Sequence, residues 1–106
     1  MGFFDFLKTP DINQGVKDFN STGGAILLDV RTMGEYKEGH IPGSKNIPLQ
    51  SINKADGMID NKATPIFVYC LSGARSRQAA AILQQMGYTN VKNIGGISAY
   101  TGKVER

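Results

Sequence analysis

The apolar positions of this chain fall into two kinds of run, and their alternation sets the fold expectation. Ala25-Ile26-Leu27-Leu28-Asp29-Val30 and Pro65-Ile66-Phe67-Val68-Tyr69 are continuous apolar stretches bounded by breakers, the signature of parallel strands buried on both faces. Between and around them the apolar residues take helical spacing. Ile12, Val16 and Phe19 predict a helix over 11–20. Ala79, Ile82, Leu83 and Met86, with Arg77, Gln78, Gln84 and Gln85 opposite, predict the best helix in the chain, closed by Gly87. Thr32 is placed to cap a short helix that Gly39 ends. Ile41-Pro42-Gly43 is a turn, Asn46–Leu49 a short strand, and 51–61 a weak helix carrying Ile52, Ala55 and Ile59 on one side. Asn90–Ile94 reads as the last strand, with Gly95-Gly96 turning into a short helical piece. Strand and helix alternate, so the expected fold class is α/β, a central parallel sheet with helices on both faces. In such sheets ligands bind beyond the carboxyl ends of the strands.

Length and composition narrow the picture without changing it. The 106 residues suit one domain, with 41% hydrophobic and 20% charged residues, an ordinary globular balance. Residues 1–24 read as a lead-in packed on the domain, whose first ten residues lay Phe side chains on the body, and 25–106 as the domain proper. The net charge of +3 is spread from Lys8 to Arg106 with no basic run, which favours small anions over nucleic acid as partners. No stretch approaches the roughly 18 apolar residues of a membrane span. The start, Met1 to Leu7, lacks a basic region and a long apolar core, so a cytoplasmic location is expected. No His, Cys or Asp cluster has metal spacing, and no nucleotide loop occurs, so neither metal nor cofactor is expected.

The chemistry gathers at the end of the second buried strand. Cys70 is the only cysteine, so it is either an inert buried residue or a reactive thiol. It is followed by Leu71-Ser72-Gly73-Ala74-Arg75-Ser76 and then by the strongest helix. A tight strand-to-helix turn directs successive backbone N–H groups inward, and the helix start adds its positive dipole end. Gly73 admits backbone angles closed to other residues, and Arg75 supplies a fixed positive charge with a donor fork. A thiol inside such a ring drops from about 8.5 to between about 3.5 and 7.5 in pKa, with no second base required. An inert cysteine needs none of these neighbours.

Three segments then match one family in order. Cys70-Leu71-Ser72-Gly73-Ala74-Arg75-Ser76 resembles the rhodanese active-site loop. Leu28-Asp29-Val30-Arg31, Glu35-Tyr36 and Gly39-His40-Ile41-Pro42-Gly43-Ser44 resemble that family's first signature, with Ser44 where Ala is usual. Asn93-Ile94-Gly95-Gly96-Ile97-Ser98-Ala99-Tyr100 resembles its closing segment, with Tyr100 where Trp is usual. The resemblance covers roughly residues 25–102. It implies a rhodanese-like sheet of four or five parallel strands and a sulfurtransferase acting through a Cys70 persulfide. Thiosulfate is the implied kind of donor, and cyanide or a thiol the acceptor. Leu71, Ser72, Gly73, Ala74, Arg75 and Ser76 become the expected anion-binding ring. A protein sulfur acceptor is a further expected partner.

Other residues receive plainer readings. His40, the only histidine, is expected to bond backbone at its turn rather than act as a base. Asp29 and Arg31 are expected to form a structural ion pair. Two other functions compete. Cysteine phosphatases use a similar loop with five residues between Cys and Arg, whereas four separate Cys70 from Arg75, and no general acid is evident. A persulfide carrier or binding module without turnover of its own is the second alternative.

Overall fold

The computed structural model describes residues 10–106. Its elements run α1 (Ile12–Asn20), β1 (Ile26–Asp29), α2 (Met33–Glu38), β2 (Ser44–Asn46), a 3-10 turn (Leu49–Lys54) leading into α3 (Ala55–Met58), β3 (Ile66–Cys70), α4 (Ala74–Gln85), β4 (Val91–Gly96) and a closing 3-10 turn (Ile97–Ala99). The four strands form one sheet in the order β2-β1-β3-β4, and every pairing is parallel. This is the expected α/β fold with four strands. The Phe-rich start expected to pack on the body lies outside the described residues.

Alternate side chains of the central strands feed two apolar clusters, one on each face. Leu28, Val68 and Cys70 point towards Ala79 and Leu83 of α4 and Ile52, Ala55 and Ile59. Leu27, Phe67 and Tyr69 point the other way, towards Ile12 and Val16 of α1. The sheet is thus covered on both sides, which is why its strands read as unbroken apolar runs. Asp11 caps α1 by accepting N–H bonds from Asn13 and Gln14. α1 sits so close to β4 that a Cβ on Gly15 would fall 2.4 Å from Ile94 Cβ.

Three elements differ from the sequence reading. The weak helix expected over 51–61 is a 3-10 turn from Leu49 with only Ala55–Met58 α-helical. β2 begins two residues earlier than expected, at Ser44. The N–H groups of Ile47 and Leu49 still reach the carbonyls of Asp29 and Val30, but Pro48 between them has no donor and ends the regular ladder. Gly95 and Gly96 are not a turn. They are the last residues of β4, paired with Tyr69 and Cys70 past an irregularity in register. Their small size serves close approach: a Cβ on Gly96 would meet the Leu71 carbonyl oxygen at 2.2 Å.

Candidate active site

Cys70 ends β3 at the carboxyl edge of the sheet, and Leu71–Gly73 turn the chain into α4. Gly73 makes the turn with φ of +103°, in the left-handed region that favours glycine. Its N–H donates to Cys70 Sγ at 3.0 Å, and the amides of Ser72 and Ser76 also face the sulfur. The Ser76 hydroxyl lies 3.4 Å from Sγ, and both residues are buried. Burial alone pushes the thiol up. The hydrogen bonds from Ser76, Gly73 and Ser72 outweigh it and leave Cys70 below the ordinary range of a cysteine.

The ring expected from the sequence is assembled in part by these contacts. Ser72, Gly73 and Ser76 converge on the sulfur. Leu71 turns its side chain outwards, 46% exposed, while its carbonyl accepts the Ser98 N–H. Ala74 opens α4 and is exposed. Arg75 is engaged elsewhere: its guanidinium closes as a two-pronged fork on the Glu35 carboxylate, at 2.8 and 3.0 Å. That contact holds Glu35 down to about 2, chiefly through the Arg75 hydrogen bond. Glu35 also completes a capping box with Thr32 at the start of α2. One carboxylate therefore ties the starts of α2 and α4 together beside the thiol loop.

Two residues in the neighbourhood escaped sequence reasoning as parts of the site. Glu35 was visible only as a motif letter, because its partner lies forty positions away. Asn93, on β4, accepts the Ser76 hydroxyl at 2.7 Å and the Gly95 N–H at 3.1 Å. In the sequence it only opens the closing family segment, and its partner Ser76 lies on another element.

Asp29 and Arg31 stand at the same end of the sheet as a buried ion pair. Arg31 Nη2 lies 2.6 Å from Asp29 Oδ2 and 2.7 Å from the Gly39 carbonyl. His40 Nδ1 sits 2.9 Å from the Tyr36 carbonyl, its ring is stacked on Tyr36, and its backbone pairs with Glu105. Among the described residues no cluster of His, Cys, Asp or Glu side chains has the makings of a metal site, and no helix is long and apolar enough to cross a membrane. A cleft of about 480 Å³ borders the loop on the side of Ser72, Gly73, Asn93, Gly96 and Ser98. A second opening is lined by Arg31, Glu35, Glu38, Gly39 and Leu71.

Comparison with known proteins agrees with this geometry. Residues 13–103 match the model of the rhodanese-like domain family. The thiosulfate sulfurtransferase PspE of Escherichia coli is 39% identical over 71 residues, which cover 66% of this chain and 68% of that protein. The putative sulfur carrier protein YrkF of Bacillus subtilis is 39% identical over 80 residues, 74% of this chain but 43% of YrkF, so the chain spans less than half of that relative. Among solved structures, a rhodanese with anions from E. coli superposes with a TM-score of 0.72 at 34% identity, covering 77% of this chain and 98% of that one. A four-stranded parallel sheet, a lone cysteine cradled at a strand end and a family match over most of the sequence meet in one conclusion: the chain belongs to the rhodanese-like sulfurtransferase family.

Proposed function

We propose that this protein moves sulfane sulfur from an anionic donor such as thiosulfate to cyanide or a thiol, through a persulfide on Cys70. The observation that carries this reading is the sulfur itself, buried yet bonded by the Gly73 N–H and beside the Ser76 hydroxyl, so that its anion is favoured. The Cys70 thiolate attacks the outer sulfur of thiosulfate. The S–S bond of the donor breaks, and sulfite leaves with the bonding pair. The resulting persulfide, Cys70–S–S⁻, keeps one negative charge for the loop amides to hold. Cyanide or an acceptor thiolate then attacks the outer sulfur, and the Cys70 thiolate departs. Charge and electrons balance across the two halves without an external oxidant or cofactor. Four residues between Cys70 and Arg75, with the Arg75 fork closed on Glu35, fit a sulfur atom better than a tetrahedral phosphate.

Exposed Leu71 beside the buried thiol favours a second reading, a carrier that hands its sulfur to a protein acceptor docked on the loop. A reducing compartment such as the cytoplasm suits a lone reactive thiol in either case. Treatment with thiosulfate followed by mass spectrometry tests the proposal. We expect one added sulfur on Cys70, released by cyanide as thiocyanate, and no turnover by Cys70→Ser. An unchanged mass, or thiocyanate formation at the parental rate by Cys70→Ser, overturns it. A persulfide that forms but turns over only with a protein thiol selects the carrier.

A further inference from the structure

The Ser76 hydroxyl has a single proton and more than one acceptor for it. Its oxygen lies 2.7 Å from Asn93 Oδ1, 3.1 Å from the Gly73 carbonyl, 3.4 Å from Cys70 Sγ and 3.5 Å from the Gly95 carbonyl. The Asn93 amide has only one orientation that satisfies its surroundings. The Gly95 N–H must meet an acceptor, which puts Oδ1 on its side, and Nδ2 is then left 3.4 Å from the Gly73 carbonyl, which also accepts the Arg77 N–H. Oδ1 therefore faces Ser76, and an amide oxygen can only accept. With Cys70 as the neutral thiol, the Ser76 proton goes to Asn93, and the S–H is free to donate to Ser76 Oγ.

Ionisation changes this arrangement. The Cys70 proton leaves to solvent, and the sulfur becomes the acceptor with the largest charge. To reach it, the Ser76 hydroxyl must swing away from Asn93, its shortest contact. Asn93 Oδ1 then keeps only the Gly95 N–H. We infer that Asn93 is a positioning residue for Cys70: by competing for the single Ser76 proton, it limits how strongly the hydroxyl stabilises the thiolate. It does not touch the sulfur and acts only through Ser76 and the loop carbonyl. The inference concerns the thiol on which the sulfur-transfer reading rests, but its consequence is readable on the thiol alone, without any sulfur donor.

The side chains that face this group come from three elements. Cys70 is on β3, Ser76 on α4 and Asn93 on β4; the charge that acts on the thiolate is Arg75, which is itself paired with Glu35 and feels Asp29. Removing the competitor should free the hydroxyl for the sulfur. Replacing it by a carboxylate of the same shape should hold the proton more tightly and add a negative charge near the thiolate.

The test is the pH dependence of iodoacetamide alkylation of Cys70, read in the whole chain with thermal melts alongside. Asn93→Ala should lower the midpoint by about one pH unit, tenfold in thiolate at a given pH below it. Asn93→Asp should raise it by a similar amount. In a Ser76→Ala background, Asn93→Ala should leave the midpoint in place, since the shared proton is gone. A merely structural Asn93 would move both variants in the same direction, or move the midpoint equally with and without the Ser76 hydroxyl, and either result overturns the inference. If Asn93→Ala does not fold, Asn93→Asp and its Ser76→Ala partner still decide. The rise must shrink when the hydroxyl is removed, and an equal rise in both overturns it. Loss of thiosulfate turnover in the parent protein would sink the sulfur-transfer reading and leave these midpoints unchanged.

Discussion

At the scale of single residues, the site is a contest over two groups, the Cys70 sulfur and the Arg75 fork. Hydrogen bonds to the sulfur win against burial, so alkylation of the parent protein should show a midpoint below about 8.5, and a midpoint at or above that value contradicts the cradle. Arg75 was expected to face an anion with its full fork, and the structure shows that fork held by Glu35. Its charge still lies close enough to the thiol for the two to favour each other's charged forms. Arg75→Ala should therefore cut kcat/KM for thiosulfate by about 10²-fold, the low end for loss of a charged donor in an active site. Part of that loss comes from leaving Glu35 as a bare negative charge near the loop. The double variant Arg75→Ala with Glu35→Gln should recover part of it, and a double variant no better than the single shows that Glu35 does not bear on the donor. The same pair has a pH signature. Glu35 falls from 4.5 to about 2 on folding, so the pair lends stability above pH 4.5 and withdraws it as pH falls through 2. Both side chains are about one-third exposed, 34% for Arg75 and 29% for Glu35, and solvent screening keeps the effect to about 1 kcal/mol or less. Melting temperatures of the parent and Glu35→Gln should differ at pH 6 and converge towards pH 2. A constant gap across that range contradicts the assignment.

At the scale of elements, the loop is positioned by what packs behind it. β4 runs past the loop so closely that only glycine fits at 96, with the Leu71 carbonyl oxygen 2.2 Å and Ser72 Cα 2.6 Å from where a Cβ would stand. Both obstacles are backbone, and neither can rotate aside. Gly96 has φ of −128°, so its substitution tests space and not backbone strain. Gly96→Ala should push the loop off β4, at a cost of about 1–3 kcal/mol as in other overpacked interiors, and should slow Cys70 alkylation in the molecules that remain folded. A variant that melts and alkylates like the parent shows the loop is free to move. These elements also show what a sequence makes legible. α4 is readable because its apolar positions keep helical spacing along the helix, and β3 because it is an unbroken apolar run between breakers. The Thr32 cap of α2 was readable because capping is local. Gly95-Gly96 carries no such signal, because a glycine pair looks the same in sequence whether it bends a chain or lets two strands of backbone touch. The Glu35–Arg75 and Asn93–Ser76 contacts were not readable, since they join residues 40 and 17 positions apart through the fold itself.

At the scale of the whole molecule, the carboxyl end of the sheet is where charge is concentrated inside an otherwise apolar body. Asp29 and Arg31 are 0% and 5% exposed at the end of β1, and Arg31 also reaches the Gly39 carbonyl behind α2. The Asp29 carboxylate accepts the Arg31 backbone N–H at 2.9 Å as well as its side chain. A domain of 106 residues has a total stability of about 5–15 kcal/mol. Breaking a buried pair by removing one partner costs about 3–5 kcal/mol, because a charge is left buried without compensation. Arg31→Met keeps much of the side-chain volume and removes the charge, so it should lower stability by that amount and leave a small margin or none. Replacing both residues by apolar ones of similar size removes the stranded charge, and for the ion pair alone such a change is often neutral. Here Asp29→Leu with Arg31→Met should recover only part of the loss. The Arg31 N–H and the Gly39 carbonyl would both be left without their partners, each at about 1–3 kcal/mol if water does not reach them. Urea unfolding of the parent, the single and the double variant checks this order. A double variant less stable than Arg31→Met means that the carboxylate's backbone bond outweighs the stranded charge. A single variant as stable as the parent means that water already solvates Asp29 at the sheet edge.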